Sequence, residues 1–305
     1  LRLMTYNVQY CYDEANTIVP DRTAARILAE NPDFCCVNEV RDSAAHPEAT
    51  LLAKAAGMHK SFGGNESGSN GNLILSKEEP LGTETVFLKM SSSGYGDRYC
   101  LICEFTNFCV AVTHLDTTAS GGDGAEVQAS NAVAIATIRD AFAKYAKPVF
   151  LCGDWNTRPN WENMDRFNEF LEILSPTNGV RTYQGHGSSS LIIDYISVDK
   201  AHRDDLYVAS SFVVEDLVTS DHNPVIAEIY RHPAASELGW VDESFLSTGR
   251  TGTWSPSVEW DSGTWKAELG GEYAFAANTP SGGNRVTMTV TASFEAVPME
   301  EATPD

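Results

Sequence analysis

Val149-Phe150-Leu151-Cys152-Gly153-Asp154-Trp155-Asn156 decides how the rest of this chain is read. Five apolar or small residues, too few for a helix, stop at polar residues in alternate positions. That is the pattern of a buried strand that ends in chemistry. If the strand geometry continues, Asp154 and Asn156 face one side and Trp155 the other. Working outward, the same arrangement recurs. Leu3-Met4-Thr5-Tyr6 closes on Asn7, Phe34-Cys35-Cys36-Val37-Asn38 on Glu39, and Val110-Ala111-Val112-Thr113 on His114. Asp194 sits inside Ile192-Ile193-Asp194-Tyr195-Ile196, where a carboxylate must be paired or hydrogen-bonded. Asp221-His222 precedes the apolar run Val225–Tyr230. In α/β sheets, ligands bind beyond strand ends, so these polar groups can converge in one crevice.

The apolar runs predict strands at Arg2–Val8, Asp33–Glu39, Asn72–Leu75, Arg98–Glu104, Cys109–His114, Val149–Gly153, Ile192–Val198, Leu206–Val214 and Val225–Tyr230. Helical periodicity covers Arg22–Glu30, Pro47–Ala56, Glu126–Tyr145 and Trp161–Leu174. In the third helix Val127, Ile135, Ile138, Phe142 and Tyr145 form one apolar stripe, which reads as core packing. Alternating strands and helices over 1–230 define an α/β domain. From about Arg231 helical periodicity disappears and Gly-, Ser- and Thr-rich turns separate short β segments, so 231–305 reads as a small all-β sandwich module.

The 305 residues are 42% hydrophobic and 21% charged, a globular composition. With 42 Asp+Glu against 21 Lys+Arg the formal charge is −21, which argues against a basic protein that coats nucleic acid. An enzyme that grips a few phosphates locally remains compatible, above all if a bound cation supplies positive charge. No uncharged apolar run approaches the roughly 18 residues of a membrane span. The 7 cysteines lie mostly in strand-like runs and have no zinc-site spacing. They read as small buried hydrophobes, without a disulfide framework, which favours a reducing compartment. Leu1 in place of Met leaves room for a processed leader, and the tail after Val297 reads as the start of a linker.

The ordered set Thr5-Tyr6-Asn7, Asn38-Glu39-Val40, Thr113-His114-Leu115, Gly153-Asp154-Trp155-Asn156, Ile193-Asp194-Tyr195-Ile196 and Ser220-Asp221-His222-Asn223-Pro224 resembles the endonuclease/exonuclease/phosphatase superfamily, the DNase I-like metal-dependent phosphoesterases. The resemblance covers 1–230. Asn38 stands where Gln is commoner and Trp155 where Phe is usual, and neither change removes a functional group. The resemblance implies a four-layer α/β sandwich, two mixed β-sheets face to face with helices outside. It implies a Mg²⁺ or Mn²⁺ held by Glu39, with Asn7 and Asp221 as ligands or close neighbours. It implies that Asp154 orients or deprotonates the attacking water and that Asn156 fixes the phosphate or that water. His222 would contact the phosphate or act as base, so the base stays open between Asp154 and His222. His114 would donate to a phosphoryl oxygen, and Asp194 would orient a histidine. Hard carboxylate oxygens suit those cations, and imidazoles suit proton transfer at neutral pH.

Arg98 opens a strand and is placed to grip a phosphate, unless it merely pairs with Asp97. Asn72 resembles the segment that lines the site floor. Arg158 and His186, on loops beside the motifs, are candidates for substrate contact. A monomeric hydrolase acting on a phosphoester, either small molecule or nucleic acid, is the expectation. Leu115 to Glu126 carries no basic residue, which favours a small or single-ended phosphoester over long duplex DNA. A non-specific endonuclease on DNA or RNA is the alternative, and a non-catalytic binding protein on the same fold is the alternative of another class. The segment Gly252 to Val290 resembles the Ig-like repeats of bacterial surface proteins, implying a spacer and export. That points to a cell-surface location, against the reducing compartment suggested by the cysteines.

Overall fold

The computed structural model describes residues 1–12, 17–88, 97–117, 124–184, 191–216 and 218–231. The module expected at 231–305 lies, beyond Arg231, outside these residues. Two compact units are distinguished: Leu1–Asp204 with Ser210–Ile229, and Asp205–Ala209 with Tyr230–Asp305. All the chemistry discussed below belongs to the first.

One sheet contains β1 (Arg2–Asn7), β2 (Phe34–Val40), β3 (His59–Gly64), β4 (Gly71–Ser76), β11 (Leu206–Val213) and β12 (Val225–Arg231), in the order β11-β12-β1-β2-β4-β3. The other contains β5 (Gly82–Leu88), β6 (Arg98–Glu104), β7 (Cys109–His114), β8 (Val149–Asp154), β9 (Leu171–Ile173) and β10 (Asp194–Asp199), in the order β5-β6-β7-β8-β10-β9. Both are mixed, with β1 parallel to β2 and β7 parallel to β8 among antiparallel neighbours. Four helices are described: α1 (Pro20–Glu30), α2 (Glu48–Ala56), α3 (Ala125–Phe142) and α4 (Glu162–Asn168).

Alternation along the strands builds the layers. Met4, Tyr6, Cys35, Val37, Leu73 and Leu75 meet Ala24 and Ile27 of α1 and Ala49 and Leu52 of α2. Cys100, Ile102, Cys109, Ala111, Val149 and Leu151 meet Ile135, Ile138 and Phe142 of α3 and Met164 and Phe167 of α4. The intervening residues of the same strands, such as Leu3, Cys36, Ile74, Leu101, Val110, Val112, Cys152 and Ile196, are also buried. They fill the space where β1 approaches β8 and β10, and where β2 and β4 approach β7. The result is the four-layer α/β sandwich, two mixed sheets face to face with helices outside.

The helix expected at Trp161–Leu174 is corrected. It stops at Asn168, and Leu171–Ile173 becomes an edge strand antiparallel to β10. The apolar residues from Phe167 to Leu174 fit either period, and the open edge of β10 settles the choice. Strands β3 and β5 had no sequence signal, because edge strands with one exposed face carry few apolar residues. The stripe on α3 faces the core, although the helix ends at Phe142, before Tyr145. All seven cysteines are buried and unpaired. No described helix is long and apolar enough to cross a membrane.

Candidate active site

Parity and register bring the polar strand ends together. Asn7, Asn38, Asn72, His114, Asp154 and Asp194 share the parity of the residues between the sheets. On the second sheet His114 is the register partner of Asp154 on β7 and β8, and Asp194 that of Asp154 on β10 and β8. On the first sheet Asn7 is opposite Asn38. Gly153 permits the close approach of β7 to β8. Its φ is 132°, and a Cβ there would lie 2.0 Å from the Thr113 carbonyl oxygen. Glu39 owes its aim to a β-bulge: three steps along β2 from Val37 to Val40 span two steps on β4. Glu39 itself takes φ 53°, a left-handed conformation that turns its carboxylate out of the alternation.

Asn38 clamps the two sheets. Its side-chain amide donates to Asn72 Oδ1 at 2.9 Å and to the Thr113 carbonyl at 3.0 Å, and its Oδ1 accepts the Asp154 N–H at 2.8 Å. Asn72 in turn donates to the Tyr99 carbonyl at 2.8 Å. The segment carrying Asp221 and His222 is fixed by Asp216, whose carboxylate accepts the Tyr6 hydroxyl and the Val218 and Thr219 N–H groups. Ser220 ties it to β1 by donating to the Asn7 carbonyl at 2.7 Å.

Asp154 Oδ2 is the focus. Asn7 Nδ2 donates to it at 3.1 Å, and also to Glu39 Oε1 at 3.1 Å. His114 Nε2 lies 3.4 Å from that same Asp154 oxygen and 3.9 Å from Glu39 Oε1; His222 Nε2 lies 3.6 Å from the Asp154 oxygen. The other oxygen, Oδ1, accepts the Asn156 N–H at 2.9 Å, and Asn156 Nδ2 donates to the Leu115 carbonyl. Asn156 holds φ 45°, which Asn tolerates better than most residues. The tautomer of His114 follows from its partner. Arg98 Nη1 lies 2.8 Å from His114 Nδ1, and since a guanidinium only donates, Nδ1 accepts and Nε2 carries the proton. His222 donates through Nδ1 to Asp194 Oδ2 at 2.9 Å.

Electrostatics separates the two imidazoles. Burial, then the charges of Arg98 and His222, hold His114 well below the ordinary histidine value, so it is neutral. Burial also works against charge on His222, but Asp194, through its charge and hydrogen bond, and Asp154 outweigh it and raise His222 to about 10. Burial and the neighbouring Asp194 push Asp154 up to about 7, despite the pull of His222 and its hydrogen bonds. Glu39 is raised by burial, and Asp221 adds to the effect.

Two groups could take a cation. Ligand atoms of the buried Asp154, Asp194 and His222 lie within 4.8 Å of one another. His222, however, already engages a carboxylate with each ring nitrogen, which is the arrangement of a proton relay. Glu39 and Asp221 both line the crevice, and the Asp221 charge disfavours that of Glu39. With the Asn7 amide bonded to Glu39, they form an oxygen-rich set suited to a hard divalent ion. The residues present fit such a cation.

The crevice above these groups is about 330 Å³ and is lined by Tyr10, Glu39, Asn70, Arg98, His114, Asp154, Asn156, Arg158, Trp161, Tyr183, Asp221 and His222 among others. Eleven residues singled out from the sequence, Arg158 among them, thus gather at one end of the sheets. Asn7, Asn72 and Asp194 sit beneath the surface of the crevice and brace the rest. Arg98 is held by His114, while Asp97 accepts the Tyr99 hydroxyl. His186 lies outside the described residues. Sequence reasoning missed the clamp role of Asn38, and it missed Tyr10, Tyr183 and Trp161. Gln9, Tyr10 and Cys11 all have positive φ, a local conformation that no residue type there announces.

Fold and crevice together define a four-layer α/β-sandwich protein with an acid–imidazole centre at one sheet end. The chain belongs to the Endonuclease/Exonuclease/phosphatase family, whose model matches residues 4–263. Members of this family are in general hydrolytic phosphoesterases that use divalent metals. Among solved structures it is similar to the endonuclease/exonuclease/phosphatase from Bacteroides vulgatus, with 18% identity over 76% of this chain and 99% of that one, TM-score 0.63. It is also similar to a Bacteroides thetaiotaomicron mannosyl-6-phosphatase, with 15% identity over 75% and 99%, TM-score 0.57. The human Nocturnin catalytic domain with bound sulfate gives 18% identity over 76% and 93%, TM-score 0.57. No curated protein matches the sequence.

Proposed function

We propose that this chain is a Mg²⁺- or Mn²⁺-dependent hydrolase that cleaves a phosphoester by attack of water. The convergence of Asn7, His114 and His222 on Asp154 Oδ2 carries the reading, because it joins a poised carboxylate to two imidazoles in opposite protonation states. Glu39 and Asp221, with Asn7 beside them, would hold the cation, which supplies positive charge to the phosphoryl oxygens and the leaving group. Asp154, with its carboxyl near 7, takes the proton from the attacking water. Asn156 fixes the position of that water or of the phosphate. His222, kept protonated by Asp194, donates to the phosphate, and neutral His114 donates through Nε2–H to a non-bridging oxygen as charge builds there. Arg98 adds charge on the same side.

A crevice of about 330 Å³, with two arginines and no lysine among its described lining residues, supports a small or single-ended phosphoester as substrate. The test is a panel of bis(p-nitrophenyl) phosphate, sugar phosphates, nucleotides and supercoiled plasmid, each in Mg²⁺ and in EDTA. Turnover in Mg²⁺ only, lost in Glu39→Ala together with calorimetric Mg²⁺ binding, is the expected result. Plasmid nicking faster than any small ester would replace the substrate class with nucleic acid. Equal turnover in EDTA would sink the cation dependence.

A further inference from the structure

One cation of the crevice has no task in that scheme. Arg158 lines the wall two residues beyond Asn156. Its guanidinium carbon lies 4.9 Å from the centroid of the Trp161 ring, and the Trp161 N–H donates to the Arg158 carbonyl at 3.0 Å, so one turn fixes both. Arg2, Arg26, Arg41, Arg139, Arg166 and Arg181 each have a carboxylate partner. Among the described residues Arg158 has none, and its Nε is buried without a hydrogen-bond partner. In a chain with 42 acidic residues, a guanidinium kept clear of them faces something else. Arg98 is already committed to His114 beside the reacting centre. A stacked guanidinium keeps its planar fork oriented, loses little rotamer freedom on binding, and matches a phosphate bidentately.

We propose that Arg158, braced on Trp161, is the specificity-determining residue for a second phosphate, so that the preferred substrates are phosphoesters carrying two phosphates. The inference rests on the hydrolase reading for the fate of the first phosphate. The second one has two sources: a terminal phosphate on a small molecule, or the next phosphate of a nucleic-acid strand.

Calorimetric binding in Mg²⁺ separates the possibilities without relying on turnover. The ligands are thymidine 5′-monophosphate, thymidine 3′,5′-bisphosphate and the dinucleotide pTpT. Wild type is expected to bind the bisphosphate about tenfold or more tighter than the monophosphate, the worth of one charge-assisted hydrogen bond. Arg158→Ala brings the two affinities together, Arg158→Lys restores part of the difference, and Trp161→Leu reduces it while the unfolding midpoint stays near wild type. An advantage for pTpT equal to that of the bisphosphate assigns the second phosphate to a strand, and an advantage for the bisphosphate alone assigns it to a small molecule. Equal affinities in wild type would overturn the proposal. So would Arg158→Ala weakening both ligands alike, since Arg158 would then serve the first phosphate. A binding preference without turnover of any ester would sink the hydrolase reading alone.

Discussion

At the N-terminal ends of β2 and β8 the space between the sheets is closed by Phe34, Phe105, Phe108 and Phe150, with ring centroids 4.8 to 6.0 Å apart. At the C-terminal ends of the same two strands stand Asn38, Glu39 and Asp154. The four rings carry no polar atoms to satisfy and gain from close packing and edge-to-face contacts. The polar end holds together only because each buried amide finds its partner, and where burial and like charge are not offset, as at Asp154, the protein retains a strained protonation equilibrium. One pair of strands therefore carries stability at one end and reactivity at the other.

Substitutions at the two ends test that division. Asp154→Ala should lower turnover by about 10³ to 10⁴ fold, as expected for a lost proton acceptor. Its thermal midpoint should move less than that of Phe150→Ala, and a larger shift would erase the distinction. Phe150→Ala, at the aromatic end, should cost about 3 to 5 kcal/mol in denaturant unfolding. Turnover per folded molecule should survive, and its loss would show that the aromatic end also positions the site. Gly153→Ala, at the polar end, should combine both effects. Its Cβ would collide with the Thr113 carbonyl, so about 1 to 3 kcal/mol of stability should go. Activity should drop by about 10² fold as Asp154 is displaced, which kinetics and chemical denaturation on the same sample can check.

The smallest effect concerns pH. His222 has a folded value near 10, above its ordinary 6.5, so the folded state holds that proton more tightly. The corresponding stabilisation is complete below about 6.5 and lost as pH rises towards 10. Melting curves in chelator should show this decline, and His222→Gln should flatten it. An unchanged slope in the variant would remove His222 as its source.

Much of this molecule was legible in the sequence. The strands that end in Asn7, Glu39, His114 and Asp154 carry continuous apolar runs, because both of their faces are buried between helices and a second sheet. The outer strands β3 and β5 were illegible for the converse reason, since an edge with a wet face needs no apolar run, and β9 was illegible because its apolar residues fit a helix as well as a strand. Within the site, Glu39 and His222 were visible as residue types in motifs. The clamp made by Asn38 was not, because its partners Asn72, Thr113 and Asp154 come from three distant strands.

The sequence by itself determined the alternation of strands and helices, and through parity which residues would share the inner face. Residue period follows from local geometry and needs no long-range information. Tertiary structure alone decided that His114 is neutral and His222 charged, and that a bulge turns Glu39 into the crevice. Each depends on desolvation or on a neighbour brought from elsewhere in the chain, and those energies exist only once the two sheets have closed on each other.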